Sequence, residues 1–277
     1  MTVQDSDAPT GTHKTYHFPR LLLIKIALGL LPGFKRSAAV DSLRILRGNP
    51  PLPRVVGLES IPVEGPFVIV ANHYERPGLP TYFAGMAVCA AVAERRPASP
   101  ETRWIITSEW ISRHFGPIPI PIWLSRWAFG RVGVVYGFIT MPKGDEKTAG
   151  RAAALRQALA VVGSPAAGSE TRRHNGQAVA LTPEARGKGT LVEAMPGSGL
   201  FLEMLTKRGA PFLPVGFYEE GEHLIVRFGE PFRLRKERRT DREEQDRLVR
   251  EQVMVAIGRL LPRDMWGFYA SAIDKSP

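Results

Sequence analysis

The chain has 277 residues, 44% of them hydrophobic, a formal charge of +10 and a single cysteine. That length and apolar content support one large domain or two small ones with a sizeable core, and one thiol excludes an internal disulfide and fits a reducing compartment. The charge favours polyanionic partners such as nucleic acid, anionic headgroups or CoA-bearing molecules, but no zinc-ligand spacing and no aromatics interleaved with the basic runs point to a nucleic-acid module.

Residues 1–19 lack the cationic and apolar regions of a secretory signal and are expected to form a disordered polar tail. Residues 20–32, RLLLIKIALGLLP, are apolar but interrupted by Lys25 and ended by Pro32. They are too short to span a bilayer, which leaves a core helix or an interfacial one. Residues 36–47 set Ala39, Leu43 and Leu46 at helical spacing, so 20–49 read as N-terminal helices. A proline-rich break at 50–53 opens the main domain, expected over 50–262. Val68, Ile69 and Val70 form the apolar run of a strand covered on both faces. Residues 79–93 read as a helix, with Cys89 as core rather than nucleophile. Residues 102–110 read as a strand running into a helix, and 137–141 as another buried strand.

Residues 145–162 are expected to be helical, with Ala152, Leu155, Leu159 and Val162 on one face and Asp145 and Glu146 at the start, where acids suit the dipole. A polar loop spans 163–177. A strand at 178–182, a helix at 197–208 and strands at 211–218 and 223–229 follow. The last helix opens on a capping box, Thr240 with Glu243. It carries Val249, Val253, Ile257 and Leu260 inward and ends near Pro262, leaving 263–277 as a tail. Strands alternating with helices predict an α/β fold with a mostly parallel central sheet flanked by helices.

Asn72 and His73 follow the strand VIVA, at the end where open α/β sheets keep their sites. A neutral imidazole there suits a general base, or a histidine that only bonds a loop. Three further blocks are weak singly: Gly137-Phe138-Ile139 with Lys143, Thr182-Pro183-Glu184-Ala185-Arg186-Gly187, and Ala210-Pro211-Phe212-Leu213-Pro214-Val215-Gly216. The last could be an edge strand, since it holds two prolines.

In order and separation these blocks resemble the four motifs of the glycerol-3-phosphate and lysophosphatidate (PlsC-like) acyltransferases. The resemblance runs from Val56-Gly57-Leu58-Glu59 through Met195-Pro196-Gly197 to Phe228-Gly229-Glu230-Pro231-Phe232, about residues 54–233. It implies a glycerol-3-phosphate acyltransferase-like fold and transfer of a fatty acyl group from acyl-CoA or acyl carrier protein, the co-substrate, to a lipid hydroxyl. His73 would be the base, Asn72, Lys143, Glu184 and Arg186 would serve substrate binding, and no metal or other cofactor is implied. The implied place is the cytoplasmic face of the cell membrane, as a peripheral or monotopic protein.

The chain departs from the pattern His-x-x-x-x-Asp, because Gly78 stands where the orienting aspartate belongs. Three readings are open: Glu75 supplies the carboxylate, another acid does, or the chain binds lipid without catalysis. Lys143 replaces an arginine and loses its planar fork. Ala185 replaces a glycine, which suggests a changed turn, and Arg186 sits one place early. These changes put a glycerol-3-phosphate-like acceptor in question.

Residues 109–130 carry Trp110, Phe115, Trp123, Trp127 and Phe129, with Arg113, Arg126 and Arg131 near them. This composition suits an interfacial anchor or a core beneath the sheet, and the Ile-Pro repeat at 118–122 prevents one continuous helix. The basic run 233–242 could add attraction to anionic lipid or be a solvated loop.

Overall fold

The computed structural model describes residues 14–109, 114–115, 118–142, 148–163, 177–187, 189–207, 209–235 and 241–275. Helices α1 (Arg20–Leu30) and α2 (Ala38–Arg47) precede strands β1 (Arg54–Val56) and β2 (Phe67–Ala71), helix α3 (Tyr82–Arg95) and strand β3 (Thr102–Thr107). A two-residue ladder, β4 (His114–Phe115) with β5 (Ile118–Pro119), leads into α4 (Ile122–Tyr136) and β6 (Ile139–Met141). Then come α5 (Thr148–Val162), β7 (Ala178–Leu181), α6 (Ser198–Thr206), β8 (Phe212–Glu220), β9 (His223–Phe228), α7 (Arg242–Gly258) and α8 (Ala270–Lys275).

Seven strands form one sheet in the order β1-β9-β8-β2-β7-β3-β6, and every neighbouring pair is parallel except β8 with β9. This is the expected mostly parallel α/β sheet. Strand β2 lies at its centre and is buried along its whole length. Val68 and Val70 face a core built with Ala158, Leu202, Val253 and Ile257. Phe67, Ile69 and Ala71 face a second core with Leu46, Phe83, Ala87 and Val88. Helices cover both faces, so the strand is continuously apolar rather than alternating.

Strand β8 is interior, between β2 and β9, which overturns its reading as an edge. Its proline is accommodated by a bulge. The ladder to β9 ends at Val215–Phe228 and resumes at Phe212–Phe232, so three residues oppose two at Pro214. A missing N–H is tolerated at such a site.

Other expectations are corrected. The polar tail stops short of residue 14: Tyr16 is buried against Phe83, and the Asn49 side chain holds the His17 backbone in both directions, at 2.7 and 2.8 Å. Residues 1–13 lie outside the described residues. The C-terminal segment is not a tail either. Met265, Tyr269 and Ile273, four apart, are buried in the core beside α7, and Leu191 pairs with Met265 and Phe268 through backbone bonds of 2.9 and 3.0 Å. The buried stripe of α5 runs through Ala154, Ala158 and Val162, with Leu155 and Leu159 at its flanks; Asp145 and Glu146 lie outside the described residues. Helix α7 is capped by Asp241, whose carboxylate accepts the Glu243 and Glu244 N–H groups; Thr240 lies outside the described residues.

Helix α1 has no buried residue, which rules out a core helix. Leu22 and Ile26 rest against the protein, while Leu21, Leu28, Leu31 and Phe34 are 63–78% exposed. Helix α4 begins directly after Pro121, so the prolines precede a helix instead of interrupting one. Its Trp123 and Trp127 lie on the surface, 69% and 44% exposed, and do not fill the core. Arg131 ties the helices together by donating to the Leu30 carbonyl at 2.7 Å and to that of Leu31. The last carbonyls of α4 are capped by Lys35, by the Arg36 N–H and by Arg103.

The C-terminal segment's place in the core gives a direct test. Ile273→Ala should lower the unfolding free energy in urea by about 2–5 kcal/mol, whereas a change within about 0.5 kcal/mol would mark a surface position.

Candidate functional site

His73 emerges two residues beyond β2, at the carboxyl end of the parallel strands, with residues on either side of it held by neighbouring strands. The buried amide of Asn72 donates to the Phe217 carbonyl at 2.9 Å and accepts the Phe217 N–H at 2.7 Å. Asn72 is thus a strand-to-strand clamp on β8. On the other side the His73 N–H donates to Glu184 at 2.7 Å. The second oxygen of Glu184 accepts the Val192 N–H, also at 2.7 Å.

Glu184 is 1% exposed. Burial pushes its carboxyl up to about 7, against the two N–H bonds that favour the charged form. A shift of that size is on the order of 3 kcal/mol against ionisation, so desolvation outweighs the two bonds. Glu184 therefore joins the His73 loop to the segment after β7.

That loop crosses His73 closely. A Cβ on Gly187 would lie 2.1 Å from the His73 carbonyl oxygen and 3.4 Å from its Cβ, so only glycine permits the approach. Ala185 stands in a conformation that favours glycine. Its φ is +54°, the left-handed region, and its N–H bonds the Thr182 carbonyl at 3.1 Å. An alanine held in this region bears a steric cost of about 1–2 kcal/mol. Arg186 is exposed beside this crossing. Lys143 lies outside the described residues.

The loop after His73 leaves position 78 little room for a side chain. Arg76, Pro77, Gly78 and Leu79 form a tight turn closed by reciprocal backbone bonds of 3.1 and 2.9 Å. Gly78 has φ +81°, the third-position geometry of a type II turn, with proline before it. A Cβ on Gly78 would sit 2.9 Å from Thr15 Oγ1 and 3.3 Å from Thr15 Cα. The strap of residues 14–18 crosses here, and the Tyr16 N–H donates to the Gly78 carbonyl at 2.7 Å. A carboxylate at this position would have to displace both turn and strap.

Glu75 is half-buried, and among the described residues no hydrogen bond or ion pair joins it to His73. His73 is itself partly exposed, with its Nδ1 shielded from solvent. A partner missed from sequence is Glu219, near the end of β8. It accepts Tyr74 Oη at 2.9 Å and two Arg76 guanidinium bonds at 2.6 and 2.5 Å. No local pattern links residues 143 positions apart, but the dipeptide Pro77-Gly78 was a legible turn signal.

A groove of about 510 Å³ lies elsewhere, lined by Arg103, Gly137, Thr140, Gln157 and Gln177. Arg103, Gly137 and Gln177 stand at the amino ends of β3, β6 and β7, so this groove is at the end of the sheet opposite His73. The chemistry-bearing residues, not the volume, locate the candidate site.

No family model and no curated protein matches the chain. Among solved structures it is similar to the crystal structure of the 1-acyl-sn-glycerophosphate (LPA) acyltransferase, PlsC, from Thermotoga maritima, at 18% identity and a TM-score of 0.42, covering 80% of this chain and 76% of that one. At that distance the likeness carries no argument about activity, which must rest on the residues themselves.

Glu184 yields a pH test. Its pKa is raised in the folded chain from 4.5 to about 7. The stability linked to its proton is therefore complete below the lower value and lost as pH rises through the upper one. The difference in unfolding free energy between wild type and Glu184→Gln should fall between roughly pH 5 and pH 8. A flat difference would show that this carboxyl does not bind the proton.

Proposed function

We propose that this protein is an acyltransferase of the glycerolipid type, which moves a fatty acyl group from an acyl thioester to the hydroxyl of a lysophospholipid-like or other lipid acceptor. The observation that carries the reading is His73 at the carboxyl end of the central strand, its backbone fixed by Glu184 and crossed by the loop bearing Arg186. The order of the four sequence blocks supports it independently.

In this reading the imidazole takes the acceptor's hydroxyl proton as the oxygen attacks the thioester carbonyl. The tetrahedral intermediate collapses with cleavage of the C–S bond, and the departing thiolate recovers the proton from the imidazolium. Arg186 and Lys143 are the cations assigned to anionic groups of donor or acceptor. Glu75, two residues from the base, is the nearest candidate for the orienting carboxylate, but among the described residues no hydrogen bond or ion pair joins it to His73. Loss of an orienting carboxylate costs about four powers of ten in a protease relay, so a slow enzyme is the expectation. One observation favours a second reading, a lipid-binding relative without catalysis: the turn at Gly78 leaves no room for the motif's acid.

The membrane would be met by α1 and α4. No described helix is long and apolar enough to cross a bilayer, yet Leu21, Leu28 and Phe34 on one segment and Trp123 and Trp127 on the other are exposed. Apolar side chains beside aromatic rings form the surface that an interfacial protein inserts among headgroups, and a net charge of +10 favours an anionic leaflet.

Two measurements test this. Thiol release from palmitoyl-CoA with a panel of lysophospholipids should fall about a hundred- to ten-thousand-fold in His73→Ala; equal release by both proteins would remove the catalytic reading. Cosedimentation with phosphatidylglycerol vesicles should weaken about tenfold when Trp123→Ala and Trp127→Ala are combined, as expected for two rings withdrawn from an apolar phase. Unchanged binding would place the contact elsewhere.

A further inference from the structure

We infer that Glu219 is a positioning residue for His73, taking over the ordering task of the absent motif acid by fixing the backbone of the loop instead of bonding the ring. The inference rests on the acyl-transfer reading of the His73 site.

The loop leaves β2 between its two neighbours, β8 and β7. Its anchors alternate. Asn72, Tyr74 and Arg76 all bond to β8, through Phe217 and Glu219. His73, among them, bonds to Glu184 beyond β7. The residue bearing the base is therefore stretched between two fixed walls, and Glu219 holds two of the three points on one of them.

The Glu219 pair is not an ordinary surface contact. The side chains of Glu219 and Arg76 are 6% and 14% exposed. Both carboxylate oxygens are engaged, one by the phenol of Tyr74 and Arg76 Nε, the other by Arg76 Nη2. The guanidinium also donates to the Pro77 carbonyl at 2.7 Å and to the Lys14 carbonyl at 2.8 Å. Desolvated ion pairs are weak sources of stability even when fully bonded, but they specify geometry. Here the geometry specified is that of Tyr74 through Leu79, the stretch from which the family's aspartate would reach the ring, and of the strap that closes over Gly78.

A double-mutant cycle tests the assignment on the full chain: wild type, Glu219→Gln, Arg76→Gln and the pair together. Each is assayed for thiol release from palmitoyl-CoA with lysophospholipid at a temperature where circular dichroism shows it folded. The His73 ring signal, identified by its loss in His73→Ala, is followed by NMR. Each single change should lower kcat about tenfold or more with KM held within about twofold, the double should be no worse than the poorer single, and the ring signal should broaden or split. Lower thermal stability with kcat and the ring signal unchanged would make the pair purely structural and overturn the inference. Should a charge variant not fold, Tyr74→Phe keeps the ion pair and removes one bond to the same carboxylate. A disturbed ring signal supports the assignment there, and an undisturbed one overturns it. If wild type shows no His73-dependent release, the acyl-transfer reading falls, and the ring signal alone decides whether Glu219 positions His73.

Discussion

The architecture around His73 depends on one buried carboxylate with two backbone N–H groups pointed at it. Glu184 bonds His73 and Val192 across the gap between β2 and the segment following β7. Bonds from N–H groups to a charged acceptor contribute roughly 1.5–3 kcal/mol each, but removing a carboxylate from water costs several. The rise of its pKa to about 7 shows which side prevails. Burial therefore opposes the charged form of Glu184 despite both bonds. Glu184 fixes the place of the histidine, and the close crossing at Gly187 depends on that place.

From this clamp the rest of the site follows. With the His73 backbone held on one side and Asn72 held on the other, the loop to α3 can follow only a narrow path. It closes through a proline-glycine turn, and the space in front of that turn is filled by the 14–18 strap. The strap continues directly into α1, whose outer face is apolar and exposed. The surface proposed to meet a membrane is thus joined to the candidate site by a few residues of chain, bonded at Lys14, Tyr16 and His17. Arg131 joins α1 in turn to α4.

Sequence reasoning reached the elements whose signals are local. The run of β2 is apolar because both faces are covered, and Val249, Val253 and Ile257 repeat every four residues because α7 buries one side. The order of the blocks singled out His73, Glu184 and Arg186, while the contacts of Glu184 and Gly187 with the His73 backbone appear only in the fold. What escaped was set by distant contact. Tyr16 sits in a polar stretch and is buried by Phe83. Pro214 looks like an edge residue until the bulge opposite it is seen. Arg76 and Glu219 are 143 residues apart, and neither has a neighbour in sequence that announces the other. The left-handed conformation of Ala185 is strained but permitted when its surroundings dictate the turn.

The central claim is that Glu184 holds the base in place through its backbone, and amide exchange reads that contact directly. Hydrogen–deuterium exchange followed residue by residue, in wild type and in Glu184→Ala, should show the His73 and Val192 amides losing protection together while the amides within β2 stay protected. If both amides exchange in the variant as slowly as in wild type, the carboxylate is not what holds the histidine, and the account of the site fails with it.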